Sequence, residues 1–208
     1  MTADEGGTRQ YDMDGALVHI VDDDEAVRTS LALLLSTEQL QTSTYVDAYD
    51  FLENYTPSGV ACLILDIQMP GMNGMTLQTE LLEQNLNLPI IFLTGHGDVS
   101  MAVETLRAGA FDFLEKPFAP DTLIEKVHEA LKKHRVLCEE SANNLAKQQM
   151  IEALTPRERE IFKMLKNGKS SKVIAIELGI SERTVEVHRS KVLHKLAVRS
   201  TGELLSRY

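Results

Sequence analysis

Short apolar runs alternate with longer stretches of helical periodicity between residues 16 and 132. Mainly apolar runs occupy residues 17–21, 62–65, 89–93 and 111–114, and a Thr-rich run with the character of an edge strand occupies residues 41–45. The stretches between them place apolar residues three or four positions apart, as in amphipathic helices. Apolar strands separated by helices are typical of a parallel sheet that is covered on both faces. The pattern therefore predicts a doubly wound α/β domain with a five-stranded parallel sheet.

The pattern is helical only from residue 154 onward. Thr155, Pro156 and Glu158 give a strong helix start, because Thr caps the helix, Pro suits its first position and Glu can reach back to the cap. Further helix starts follow near residues 171, 181 and 200. The sequence therefore predicts a small, all-α second domain of four helices.

These patterns divide the chain into four segments. We expect a disordered leader, a first domain, a helical linker and a second domain at residues 1–15, 16–132, 133–150 and 151–208, respectively. The leader is rich in Asp, Gly and Thr. The linker is polar and lacks Pro and Gly, which favours a continuation of the preceding helix or a semi-rigid spacer.

The net charge of −10 combines two regions of opposite sign. Residues 1–150 contain 9 basic and 24 acidic side chains, whereas residues 151–208 contain 12 basic and 7 acidic side chains. An acidic surface favours a cation and a basic surface favours a polyanion. The asymmetry indicates two domains with different partners.

Several features favour a cytoplasmic protein. No apolar run approaches the roughly 20 residues that a transmembrane helix needs. The first 15 residues lack the apolar segment of a signal peptide. Cys62 and Cys138 are the only cysteines, too few for a disulfide framework, and Cys62 is expected to be a small buried apolar side chain.

Polar side chains follow the predicted strands at the points where the strands end. Asp22 and Asp23 follow the first strand, and the third, fourth and fifth strands are followed by Asp66, Thr94 and Lys116. Because the carboxyl ends of parallel strands meet at one edge of a sheet, we expect these side chains to lie together. Three carboxylates there would repel each other without a cation, and Mg²⁺ prefers oxygen ligands. A nucleophilic carboxylate beside a metal and a lysine is suited to phosphoryl transfer.

Four runs of the first domain resemble the receiver domain of two-component response regulators, which has a flavodoxin-like fold. The runs are VDDD at 21–24, LDIQMPGMNG at 65–74, FLTGHG at 92–97 and FLEKPF at 113–118. The resemblance implies that Asp66 accepts a phosphoryl group. It also implies a Mg²⁺ site whose ligands are Asp22, Asp23, Asp66 and the backbone carbonyl of Gln68.

The same resemblance assigns the phosphoryl-binding and switch residues. Thr94 and Lys116 are expected to bind the phosphoryl group. Thr94 and Phe113 are expected to form the conformational switch, although many relatives carry tyrosine where Phe113 stands. His96 lies in a loop between glycines, and we interpret it as structural.

The second domain shows a helix-turn-helix pattern. A tight turn at residues 179–181 separates two predicted helices, and Ala175, Gly179 and Val185 are small or apolar where the crossing helices must meet closely. The second helix of such a motif enters the major groove of DNA. With LTPRERE at 154–160 and TVEVHR at 184–189, this domain resembles the LuxR type of DNA-binding domain. The whole chain thus resembles response regulators of the FixJ/NarL type, and TGHGD at 94–98 favours the FixJ branch.

The resemblance also suggests which side chains contact DNA. Glu186, Val187 and Ser190 are expected near base edges, where a glutamate accepts from a cytosine amino group and a valine contacts a thymine methyl group. Basic side chains are better suited to phosphate, which adds salt-sensitive affinity without reading sequence. The predicted DNA-binding residues are Lys172, Arg183, Thr184, Glu186, Val187, Arg189, Ser190, Lys191 and Lys195.

The combined resemblance implies a transcriptional regulator and not an enzyme, apart from catalysis of its own phosphorylation and dephosphorylation. A sensor histidine kinase would phosphorylate Asp66, and a face formed by residues 99–135 would then pair two chains. The homodimer would place two basic domains on adjacent half-sites of promoter DNA. RNA polymerase is a further partner compatible with this function, and no membrane partner is expected.

Two other functions use the same residues. A phosphohydrolase could use Asp66 as a covalent nucleophile, but it would normally carry a second acid two residues later, where Gln68 stands. Alternatively, the first domain could be a dimerisation scaffold for a regulator that binds DNA without phosphorylation.

Three single motifs have simpler interpretations. Three aspartates before a helix are also typical of a solvated helix cap. The GKS run at 168–170 is not a phosphate-binding loop, because Lys163 stands where the first glycine belongs and a helix precedes the run. The six histidines show no i,i+4 pair and no metal-ligand spacing with the cysteines.

Overall fold

The structure is a computed structural model that describes residues 15–57, 59–95 and 99–208, with side chains described at all of these except residues 99–102. Apart from Gly15, the predicted leader lies outside the described residues, and so does His96. The chain divides into two compact units, residues 1–138 and residues 139–208. The division falls inside the predicted linker, and the bounds of the four predicted segments stay predictions.

A five-stranded sheet forms the centre of the first unit. Its strands are β1 (Leu17–Val21), β2 (Gln41–Tyr45), β3 (Ala61–Asp66), β4 (Ile90–Thr94) and β5 (Asp112–Glu115). All neighbouring strands pair in parallel, in the order β2-β1-β3-β4-β5. The predicted five-stranded parallel sheet is confirmed, and the Thr-rich strand lies at its edge.

Helices cover this sheet on both faces. They are α1 (Glu25–Thr37), α2 (Ala48–Asn54), α3 (Gly74–Glu83), α4 (Val99–Arg107) and α5 (Pro120–Glu152). Alternate residues of each strand point to opposite faces, so the sheet separates two buried apolar clusters. Leu31 of α1 and Leu123 of α5 belong to one cluster, and Phe51 of α2 and Leu77 of α3 belong to the other. Cys62 is fully buried in the first cluster, and burial raises the pKa of its thiol.

Four helices follow in the second unit: α6 (Pro156–Lys166), α7 (Ser171–Leu178), α8 (Glu182–Lys195) and α9 (Thr201–Arg207). The predicted start of α6 is confirmed, because Thr155 and Glu158 form a capping box in which the Glu158 carboxylate accepts from the Thr155 amide at 2.9 Å. The predicted small all-α domain is therefore confirmed. No helix within the described ranges is long and apolar enough to cross a membrane.

Gly179 ends α7 for a different reason from the one expected. We predicted that a small residue is needed there so that two helices can approach, but a Cβ added at Gly179 would meet no atom within 4 Å. The φ angle of +63° places this residue in the left-handed region, which favours glycine at the end of a helix. Ala175 and Val185 are buried, as expected for residues where the helices meet.

Candidate functional site

One ammonium group joins two carboxylates at the carboxyl edge of the sheet. Nζ of Lys116, directly after β5, lies 2.7 Å from Oδ1 of Asp66 and 2.9 Å from Oδ2 of Asp22. Asp66 is the last residue of β3 and Asp22 follows β1, which is the neighbouring strand. Because both strands are parallel and end at the same edge, the fold brings these side chains together from positions far apart in the sequence.

Backbone groups orient both carboxylates. The amide of Gln68 donates to Oδ2 of Asp66 at 2.9 Å, and the amide of Asp24 donates to Oδ1 of Asp22 at 2.9 Å. Nη1 of Arg28, on α1, donates to the backbone carbonyl of Asp22 at 2.6 Å. Each carboxyl group is thus held through both of its oxygens.

Burial and charge oppose each other at this site. Asp22 and Asp66 are buried, and Lys116 is partly exposed. Burial raises the pKa of Asp66 because it disfavours the charged carboxylate, although the hydrogen bond from Lys116 acts against this effect. Burial favours the neutral amine of Lys116, but its hydrogen bonds to Asp66 and Asp22 outweigh burial and raise the pKa of Lys116. The lysine therefore remains a cation between its two partners.

The remaining predicted residues lie around this group. Thr94 ends β4 and is buried; its backbone carbonyl accepts from the amide of Lys116 at 2.7 Å, and its hydroxyl donates to the carbonyl of Gly95 at 3.2 Å. Phe113 is partly buried on β5, where it pairs with Phe92 on β4, two positions before Thr94. The switch assigned to Thr94 and Phe113 thus spans two adjacent strands.

Asp23 lies outside the group formed by Asp22, Asp66 and Lys116. It is exposed, and within the described ranges no hydrogen bond or ion pair joins it to Asp66 or Lys116. The hydrogen-bonded group therefore contains two of the three expected carboxylates, because Asp23 directly follows Asp22 where the chain leaves the sheet towards α1. The role of Asp23 as a Mg²⁺ ligand stays a prediction. The alternative interpretation of the aspartate run, a solvated helix cap, holds for Asp24, whose side chain caps α1.

The donor atoms of the site fit a hard divalent cation. Asp22 and Asp66 supply carboxylate oxygens close enough to share one ammonium group. Mg²⁺ in proteins keeps several waters and is usually held by one or two carboxylates, so two suffice. Within the described part of the chain, no three His, Cys, Asp or Glu side chains form a group that holds a metal by itself. A Mg²⁺ ion here would thus need ligands besides Asp22 and Asp66, such as water, backbone oxygens or the predicted ligand Asp23.

Gly74, the first residue of α3, is a contributor that sequence reasoning missed. A Cβ at this position would clash with the backbone carbonyl of Asp66 and would lie 3.1 Å from the side chains of Leu65 and Phe92. The amide of Gly74 donates to the carbonyl of Ile67 at 3.0 Å, which closes the loop after β3. A glycine at the start of a helix, eight residues after Asp66, was the available signal.

The second candidate site is the exposed side of α8 in the second unit. Several of the predicted DNA-binding residues are exposed, and within the described ranges their side chains make no hydrogen bond or ion pair: Lys172, Arg183, Val187, Ser190 and Lys191. Thr184 is bound to the helix cap, with its hydroxyl 2.7 Å from that of Ser181. Lys195 donates to Glu158 at 2.7 Å.

Glu186 and Arg189 are joined to α7. The carboxylate of Glu186 accepts a hydrogen bond from the hydroxyl of Ser171, and Nη1 of Arg189 lies 3.3 Å from the same hydroxyl. Ser171 was not predicted as a contact of this domain, and Glu158 was predicted only as part of the cap of α6, because the partners Glu186 and Lys195 lie on another helix.

His134 and Cys138 contradict the expectation that no histidine has metal-ligand spacing with a cysteine. His134 and Cys138 are one turn apart on α5, and the sulfur lies 3.7 Å from Nδ1 of the histidine. The same nitrogen accepts from the amide of Ala61 at 2.9 Å. This i,i+4 pair was overlooked, but no third His, Cys, Asp or Glu joins it in the described part of the chain.

Two protein-family models match the chain. The response regulator receiver domain matches residues 18–128, and the model for bacterial regulatory proteins of the luxR family matches residues 152–207. The transcriptional regulatory protein FixJ of Azorhizobium caulinodans is 40% identical over 190 residues, which cover 90% of this chain and 89% of that protein. Nodulation protein W of Bradyrhizobium diazoefficiens is 37% identical over 190 residues, which cover 91% of this chain and 84% of that protein.

Solved structures are similar over the same extent. The response regulator StyR has a TM-score of 0.84 and 38% identity and covers 92% of this chain and 97% of its own. Full-length FixJ from B. japonicum has a TM-score of 0.58 and 36% identity and covers 92% of this chain and 94% of its own. The similarity therefore includes both units, in the same order.

Proposed function

Since the chain belongs to the response regulators that join a receiver domain to a LuxR-type DNA-binding domain, and is thus a regulator of transcription, we propose that Asp66 accepts a phosphoryl group from a sensor histidine kinase. The observation that carries the proposal is the position of Nζ of Lys116, 2.7 Å from Asp66 and 2.9 Å from Asp22. A carboxylate paired with a fixed cation at a sheet edge is prepared for attack on a phosphorus atom.

In the proposed step, an oxygen of Asp66 attacks the phosphorus of a phosphohistidine. The new O–P bond forms as the N–P bond breaks, and the imidazole leaves with the electron pair and takes up a proton from water. The amide of Gln68 holds the other carboxylate oxygen, while Lys116 offsets the negative charge of the phosphoryl oxygens. The hydroxyl of Thr94 would leave the carbonyl of Gly95 and donate to one of those oxygens.

Mg²⁺ is the proposed cofactor of this step. Asp22 and Asp66 would hold it, and Asp23 and the backbone carbonyl of Gln68 are further proposed ligands. When bound, the ion supplies positive charge to the phosphoryl oxygens. Loss of the phosphoryl group by hydrolysis at the same site, catalysed by the receiver itself, is part of the proposal.

Phosphorylation is tested by incubating the full chain with acetyl phosphate and measuring its intact mass. We expect one added phosphoryl group in the presence of Mg²⁺ and none after the metal is chelated. Asp66→Asn should remain unmodified, whereas Asp50→Asn, which changes a partly exposed carboxylate in the first turn of α2, should be modified like the wild type. Modification of Asp66→Asn to the same extent as the wild type would contradict the assignment.

Phosphorylation is proposed to act on DNA binding through a homodimer. The face formed by residues 99–135 would pair two chains, and the paired second domains would contact adjacent half-sites of promoter DNA, with RNA polymerase as a further partner. A location in the cytoplasm belongs to the same proposal. Light scattering and footprinting of genomic fragments, with and without phosphodonor, test these steps. Dimers and footprints from Asp66→Asn equal to those of the phosphorylated wild type would favour a regulator that does not need phosphorylation.

The proposed DNA interface consists of the exposed side of α8 and the start of α7. Glu186, Val187 and Ser190 are proposed to lie near base edges, and Thr184 is a further proposed contact. The basic side chains are proposed to contact phosphate: Lys172, Arg183, Arg189, Lys191 and Lys195. Support comes from the exposure of Val187, at 50%, beside several uncommitted basic side chains. Substitution of an exposed lysine such as Lys191 by Ala should weaken binding of all sequences and lower the salt dependence by about one ion.

A further inference from the structure

Ser171 lies where α7 meets α8, and none of the contacts proposed above gives it a role. Its side chain is buried, with 6% of the residue exposed, and its hydroxyl donates to Oε1 of Glu186. Nη1 of Arg189 donates to the same hydroxyl at 3.3 Å and lies 3.5 Å from Oε1 of Glu186. Three side chains from two helices therefore form one hydrogen-bonded group at the proposed DNA interface.

The bonding within this group determines which atoms remain available. A serine hydroxyl has one proton to donate and two lone pairs, and here the proton goes to Glu186 and a lone pair to Arg189. Oε1 of Glu186 is thus committed. Within the described ranges Oε2 has no hydrogen-bond partner, and 53% of the Glu186 side chain is exposed. One acceptor oxygen is left, on the residue that precedes the exposed Val187 in α8.

We propose that Ser171 is a positioning residue for base readout, which holds Glu186 so that Oε2 accepts from an amino group in the major groove. The inference rests on the proposed DNA interface and goes beyond it by assigning the residue that fixes the glutamate. In the major groove, cytosine and adenine present amino donors, whereas guanine and the carbonyl edge of thymine present acceptors. A fixed carboxylate oxygen therefore favours cytosine or adenine and repels the other two bases.

The physical reason is preorganisation. An exposed glutamate samples several rotamers and must lose that freedom when it binds a base. The hydrogen bond to a buried hydroxyl on a neighbouring helix removes part of this freedom before DNA arrives. Arg189 adds a positive charge beside the carboxylate, which lowers its repulsion by the DNA phosphates.

Ser171→Ala removes the hydroxyl without adding bulk at a buried position. Glu186 then loses its fixed orientation, so discrimination at one base pair should fall by about tenfold, the usual order for a single mismatch. The salt dependence of binding should not change, because no phosphate contact is lost. Lys172→Ala is the matched control: the neighbouring residue is exposed, and its loss should weaken all sequences and lower the salt dependence.

The experiment uses the full chain, activated with acetyl phosphate, and a duplex DNA library with a randomised central segment. The wild type should select cytosine or adenine at one position of each half-site, and Ser171→Ala should lose this preference. In a Glu186→Ala background, which has no carboxylate to position, Ser171→Ala should cause no further loss of discrimination. Thermal unfolding of each variant checks that the domain stays folded.

Each outcome decides between the inference and the function on which it rests. If the wild type selects no sequence, the proposed DNA-binding function fails. If the wild type selects a sequence and Ser171→Ala selects it with equal discrimination, the inference is overturned and the function stands. A loss of affinity that is equal for all sequences would make Ser171 a structural residue only, and it would also overturn the inference.

Discussion

Nζ of Lys195, in the last turn of α8, lies 2.7 Å from Oε2 of Glu158 in the first turn of α6, although 37 positions separate them. The Glu158 side chain is 5% exposed, and its carboxylate also accepts from the amide of Thr155. One carboxylate thus caps α6 and anchors the C-terminal end of α8. The proposed phosphate contact of Lys195 stays a prediction, and the lysine has this structural contact in addition.

The first prediction concerns acid stability of the second unit. The hydrogen bond from Lys195 and the one from the Thr155 amide hold the pKa of Glu158 at about 2, well below the ordinary value of 4.5. Because the folded-state pKa is lowered, this stabilisation is fully present above about pH 4.5 and is lost as the pH falls towards 2. Glu158→Gln should cost about 2 kcal/mol at pH 7 and should remove the acid-dependent loss in that window.

Hydrogen exchange of peptides from α6 and α8, corrected for the intrinsic pH dependence, measures this local stability. Glu160→Gln is the matched control, since it replaces an exposed carboxylate on the same helix, 2.8 Å from Arg157. We expect that control to change protection little. Equal protection in Glu158→Gln and the wild type at pH 7 would show that the Lys195 contact does not stabilise the domain.

A second prediction concerns His19 in the receiver. Burial against Tyr45, Phe51 and Tyr55 lowers the pKa of this histidine to about 4, so it is neutral in the folded state. Since the folded-state pKa is lowered from about 6.5, stability is complete above that pH and falls as the pH drops towards 4, by up to about 3 kcal/mol.

His19→Phe should flatten the pH dependence of stability between 6.5 and 4, because the titrating group is gone. Its loss of the 3.0 Å hydrogen bond to Tyr45 lowers stability at every pH and leaves the slope unaffected. Urea unfolding, monitored by tyrosine fluorescence at several pH values, measures the free energy of unfolding. His194→Phe, which replaces an exposed histidine, serves as the control. An unchanged slope in His19→Phe would assign the acid sensitivity to other groups.

The third prediction concerns the charge balance of the acidic site. Lys116→Met leaves the buried carboxylates of Asp22 and Asp66 without their shared cation, so we expect the receiver to lose about 3 kcal/mol of stability at pH 7. Adding Asp22→Asn should restore part of this loss, because one of the two repelling charges is removed. Lys126→Met, which breaks the more exposed pair with Asp112, should cost less than about 1 kcal/mol. Urea unfolding in the absence of Mg²⁺ measures all three, and additive effects of Lys116→Met and Asp22→Asn would argue against a coupled site.

A fourth prediction compares two glycines in helices. Gly74→Ala forces a Cβ against the carbonyl of Asp66, so the receiver should lose about 2 kcal/mol and accept a phosphoryl group more slowly from acetyl phosphate. At Gly202 in α9 the nearest atom to an added Cβ is 3.7 Å away, so Gly202→Ala should stabilise the second unit by about 0.5 to 1 kcal/mol. Thermal unfolding and intact mass measure the two effects. Normal phosphorylation of Gly74→Ala would mean that the loop after β3 can shift without disturbing Asp66.

The order of elements could be predicted because each depends on local pattern. The strands at Leu17–Val21 and Gln41–Tyr45 have the bounds expected from their apolar and Thr-rich runs, and α6 begins at its predicted cap. The meeting of Asp66 with Lys116 also followed from the pattern, because parallel strands that end at one edge leave their following residues side by side. The periodicity of the sequence was thus sufficient to predict the fold class. The shared direction of the strands was sufficient to predict the centre of the acidic site.

Other relationships were decided only by tertiary structure. The partners Ser171 with Glu186 and Glu158 with Lys195 lie on separate helices, and periodicity along one helix does not specify where another helix crosses it. Asp23 shows the same limit: it adjoins Asp22 in sequence, yet the turn out of β1 leaves it exposed while Asp22 is buried. Sequence fixes which faces are apolar and which side chains end each strand. The distances between side chains from different elements arise only when those elements pack against each other.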